Sequence, residues 1–61
     1  MMEWQLTAKY HRSSDTVVIA ATSHALQSTV EISAPMQGKY LADALDYIAG
    51  SIRRIEGESA V

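Results

Sequence analysis

Sixty-one residues with 48% hydrophobic side chains, a formal charge of −2 and no cysteine specify one small folded domain and not a disordered tail. The absence of cysteine excludes disulfides, zinc–thiolate sites and thiol catalysis, and the mild negative charge gives no electrostatic footprint for nucleic acid. A chain of this size buries only about 60% of the surface its unfolded form exposes, so self-association is the expected reinforcement.

The first segment, EWQLTAKYHR, alternates with a period of two. Trp4, Leu6, Ala8 and Tyr10 fall on one face and Glu3, Gln5, Thr7, Lys9 and His11 on the other, the pattern of a strand with one face buried. Ser13, Ser14 and Asp15 then favour a turn, because each bonds readily to its own backbone. TVVIAATS is β-branched and apolar on both faces, as in a central strand. HALQ is a connection, and STVEIS alternates again with Val30 and Ile32 inward.

Pro35 cannot donate to a ladder and is expected to end that strand. From MQGKY onward the period becomes helical over 36–57, with Leu41, Ala44, Leu45, Ile48, Ile52 and Ile55 on one stripe. Ser33 or Gln37 lies near the start of this helix. Gly57 sits where a C-terminal cap is expected, and Gly50 is expected to admit a close packing contact. The tail ESAV, 58–61, is expected to be loose. The architecture that joins these pieces is α+β. It is a three-stranded antiparallel meander covered on one face by a C-terminal helix (βββα), in two layers and one domain over 1–57.

The longest apolar run, Val17 to Ala21, is five residues, too short for a membrane span. The N-terminus carries an early glutamate and no apolar core of a secretory signal, so the expected compartment is the cytoplasm. The stretch YHRSSDT contains the side chains of a hydrolase centre. A nucleophilic serine, however, needs a base, an orienting group and a water-excluding pocket, and a hairpin tip offers none of these. The expectation is a turn.

His11 and His24 fall at opposite ends of the hairpin, which argues against a shared metal or an acid–base pair. Asp43 and Asp46 read as a wet helix face. Arg53 and Arg54 read as last-turn cations that complement the helix dipole. No glycine-rich phosphate loop is present, and neither cofactor nor metal is expected. The final ESAV has the Ser-x-Val form that strand-addition domains bind at free C-termini. GKYLADALDYIAG, preceded by TVVIAATSH, resembles the helical segment of bacterial DNA-clamp half-domains, and no residue's role is carried over from it.

Interaction remains. The expected function is a non-enzymatic protein-binding module: a regulator, inhibitor or accessory subunit, of a size common among bacterial and phage accessory proteins. It is expected to homodimerise through a strand edge, EWQLTAKY or STVEIS, in preference to the helix face bearing Tyr40, Tyr47 and Ser51. An unidentified protein is the expected further partner. The residues proposed to touch a partner or a second copy are Lys9, His11, Arg12, Glu31, Tyr40, Tyr47, Arg53 and Arg54. The alternative is a nucleic-acid-binding regulator using the outer β-face at Lys9 and His11 with Arg12 in the turn. The net charge and the presence of Glu31 on that face disfavour it.

Overall fold

The computed structural model describes residues 3–59. The end of the C-terminal Ser-x-Val form and the start of the N-terminal segment, residues 60–61 and 1–2, lie outside the described residues. Three antiparallel strands, β1 (Gln5–His11), β2 (Thr16–Ser23) and β3 (Ser28–Pro35), form one sheet in the order β1-β2-β3, followed by helix α1 (Gly38–Ser59). This is the βββα arrangement that the change of period from two to 3.6 predicts. Both hairpins close with four-residue connections. In each, the last connecting residue, Asp15 (φ 52°) or Gln27 (φ 51°), adopts the left-handed conformation that turns the chain into the next strand.

β1 pairs with β2 so that Leu6, Ala8 and Tyr10 lie opposite Ala21, Ile19 and Val17; those three lie in turn opposite Val30, Ile32 and Ala34 of β3. All nine share the face toward the helix. The buried core is Val17, Ile19, Ala21, Val30 and Ala34 from the sheet with Ala44 and Ile48 from α1, and Trp4, Ile32, Leu41, Ile52 and Ile55 pack around it. The helix lies on β3 and β2 and makes no contact with β1. The reason is dimensional. A helix with its side chains is about 10 Å across and neighbouring strands are about 4.8 Å apart, so one helix roofs two strands and leaves the third bare.

That geometry corrects several sequence expectations. Leu6 and Tyr10 point to the core side, yet they remain 65% and 48% exposed; Leu45, on the helical stripe, is 50% exposed. Pro35, by contrast, ends β3 as its missing donor predicts, and pairs with Thr16 as the strand's last residue. Helix α1 runs two residues past Gly57, which has no positive φ and caps nothing. Glu58 and Ser59 of the expected tail are therefore helical. Arg53 and Arg54 consequently lie before the last turn, which holds no basic residue. Arg54 instead forms an exposed i,i+4 pair with Glu58 at 3.6 Å, an interaction of small worth. Gly50 is exposed, and a Cβ placed there meets nothing within 4 Å, so it serves no close contact. Ser51 is buried, which separates it from the exposed Tyr40 and Tyr47.

Candidate protein-binding edge and groove

Because α1 stops short of β1, the space between them is an open apolar groove of about 370 Å³. Leu6 and Ala8 of β1 form one wall; Met36, Leu41 and Leu45 form the other, and Val17 and Ile19 form the floor. Thr7 is the one polar residue on the lining, and no titratable side chain reaches it. The lining therefore suits apolar matter and contains no acid, base or metal ligand. Among the described residues no group of three His, Cys, Asp or Glu side chains is placed to hold a metal ion. No helix among them is long and apolar enough to cross a membrane.

The stretch YHRSSDT runs from the end of β1 through the first turn, and none of its residues lines the groove. Tyr10 Oη–H donates to Asp15 Oδ1 at 2.7 Å, and the Ser14 and Thr16 hydroxyls lie 2.7 Å apart. The Met36 amide donates to the Asp15 carbonyl at 2.9 Å, which ties the segment before α1 to the first turn and sets Met36 over the groove. The phenol of Tyr10 is held above its ordinary range. The largest cause is its hydrogen bond to Asp15, followed by partial desolvation and the Asp15 charge, all of which favour the neutral phenol. The Trp4 indole N–H donates to Glu56 Oε2 at 2.9 Å, which fastens the chain before β1 to the last turns of α1.

β1 is also an unprotected sheet edge. All seven of its residues are exposed, it contains no proline, and nothing among the described residues pairs with its outer side. The opposite edge, β3, ends in Pro35, carries Glu31 near its middle and is roofed by the helix. β1 carries Lys9 and His11 on its outer face, as β3 carries Glu31, but it lacks the proline and the overlying helix that blunt β3, so β1 is the more receptive of the two.

The eight residues expected to make contacts do not come together. Lys9 and His11 sit on the outer face of β1, Arg12 in the turn, and Glu31 on the outer face of β3 in the row of Thr7 and Ala20. Tyr40, Tyr47, Arg53 and Arg54 are exposed on the helix, in the other layer. Lys9 and His11 alone do not make the cationic track that phosphate contacts require. The residues that do converge, Leu6, Ala8, Met36, Leu41 and Leu45, read in the sequence as ordinary core. The signal for their exposure is a count of layers: three strands carry apolar inward residues, and among the described residues one helix packs on them.

No protein-family model, curated protein or solved structure matches this chain. What the fold defines is a two-layer α+β domain with one bare edge strand.

Proposed function

We propose that this chain is a non-enzymatic protein-binding module, a small regulator, inhibitor or accessory subunit, whose recognition surface is the β1 edge with its adjoining groove. The supporting observation is that two unsatisfied demands share one side of the molecule. The free backbone groups of β1 seek a strand, and the groove beside them accepts that strand's apolar side chains. Strand addition uses this pairing, with backbone hydrogen bonds supplying affinity and alternate side chains supplying specificity. A groove without titratable groups supports binding over catalysis.

In-cell photo-crosslinking tests the proposal. A photoreactive residue is placed at Leu45, in the groove, or at Asp46, which is exposed next to it but absent from the groove lining. Adducts of protein mass are expected from position 45 and not from 46. Equal yields from both positions, or nucleic-acid adducts from 45, would overturn the reading.

A further inference from the structure

We infer that the β1 edge is occupied by a second copy of this chain, paired antiparallel about a two-fold axis that passes between the two Ala8 residues. This rests on reading β1 and its groove as a protein-binding surface, and it names the occupant and the register.

The strand itself selects that register. Antiparallel pairing that uses all seven residues of β1 sets Gln5 against the partner's His11, Leu6 against the partner's Tyr10, Thr7 against the partner's Lys9, and Ala8 against the partner's Ala8. Every apolar residue then meets an apolar one on the groove side, and every polar residue meets a polar one on the outer face. A slip of one residue would oppose the two faces. A slip of two in one direction would set Lys9 against the partner's Lys9, and like charges directly opposite destabilise a ladder. A slip of two in the other direction pairs only five residues of β1 and sets Tyr10 against the partner's Trp4, which lies outside the strand. The register centred on Ala8 is thus the one that combines full overlap of β1 with matched faces and no like-charge pair. The smallest apolar side chain of the strand lies on the axis, where the two copies approach most closely.

The surface of the chain agrees. Its accessible area is 4544 Å², against roughly 3,900 Å² for a compact monomer of 6.7 kDa. The Cα radius of gyration is 12.6 Å, where a compact domain of this length has about 10.5 Å. The excess area, on the order of 600 Å², approaches the ~800 Å² that each partner of a standard interface contributes. Self-pairing at β1 removes one bare edge per chain. It also joins the two grooves into one trough over a continuous six-stranded sheet.

The protein contains no cysteine, so single cysteines report the register directly. Directly opposed Cβ atoms lie about 5 Å apart, close to disulfide reach. On mild oxidation, Ala8→Cys is expected to form a covalent dimer, whereas Ser33→Cys, on β3, stays monomeric. A mixture of Thr7→Cys and Lys9→Cys chains is expected to cross-link well beyond either variant alone, a readout that survives if Ala8→Cys folds poorly. The unaltered chain is expected to sediment as a dimer. A monomer in sedimentation, cross-linking through Ser33→Cys, or no advantage for the mixed pair would each overturn the inference. If the chain is monomeric while position 45 still captures another protein, the second copy is ruled out as occupant and the protein-binding reading stands. If position 45 captures nothing as well, both fall.

Discussion

Leu45 and Ile48 belong to the same apolar stripe and differ by one helical turn, yet the bare strand beside the helix gives them unequal weight. Ile48 is 3% exposed inside the core cluster and Leu45 is 50% exposed at the groove wall. Truncating Ile48 to alanine removes a fully buried side chain and leaves a cavity, a loss of about 2–5 kcal/mol. Truncating Leu45 forfeits only about half of the 1.5–3 kcal/mol that full burial supplies, with no closed cavity, so about 1 kcal/mol. A chain of this length has a total stability of roughly 3–9 kcal/mol, which makes the difference large. Urea unfolding of dilute protein, followed by the fluorescence of its single tryptophan, Trp4, reads it out. With a slope of about 1 kcal/mol per molar urea for a small domain, the two midpoints should separate by about 2 M. Should Ile48→Ala be too unstable to measure, Ile48→Val at about 1 kcal/mol against Leu45→Met near zero makes the same comparison. Equal shifts for the two positions would mean that the helix covers β1 after all and that no groove separates them.

Three further outcomes follow from particular contacts. Gly50→Ala places a methyl group in open space within a helix. It should stabilise by up to about 1 kcal/mol and raise Tm by roughly 4–8 °C, and a lower Tm would show an unseen neighbour. Glu56→Ala removes the acceptor of the Trp4 indole and should cost about 1 kcal/mol. Glu56→Gln, which keeps a side-chain oxygen, should recover most of that, and equal losses in the two variants would deny the hydrogen bond its role. For Tyr10, the raised folded-state pKa means that the stabilisation is fully present below the unfolded phenol's value of about 10 and is lost as pH climbs through the folded value. Asp15→Asn, which tolerates the same left-handed backbone, should bring the Tyr10 titration down when its ring carbons are followed by NMR; an unchanged titration would show that Asp15 is not the cause.

How far the sequence carries the fold differs from element to element. TVVIAATS reads as a central strand because both of its faces are apolar, and β2 occupies those eight residues. The Leu41–Ile55 stripe reads as a helix, although Gly57 did not stop it: the backbone continues helically to Ser59, and glycine permits a left-handed cap without compelling one. What could not be read is which strand the helix leaves bare. Leu6, Ala8 and Tyr10 alternate as well as Val30, Ile32 and Ala34 do, and only the packing of a helix on the strand it directly follows distinguishes them. The proposed binding surface was hidden for the same reason. Its residues look like core because they have core chemistry, and α1, packed on β3 and β2, leaves them lining a groove. The Trp4–Glu56 contact joins positions 52 apart in the chain, beyond the reach of any local pattern.

Pairing of β1 with its own copy about Ala8 is read most directly by an isotope-filtered NOE experiment on a mixture of labelled and unlabelled chains. Such pairing predicts inter-chain contacts between the Leu6 methyl groups and the Tyr10 ring, and between Ala8 and Ala8. Inter-chain contacts confined to β3 residues such as Glu31 and Ser33, or none at any concentration, would contradict it.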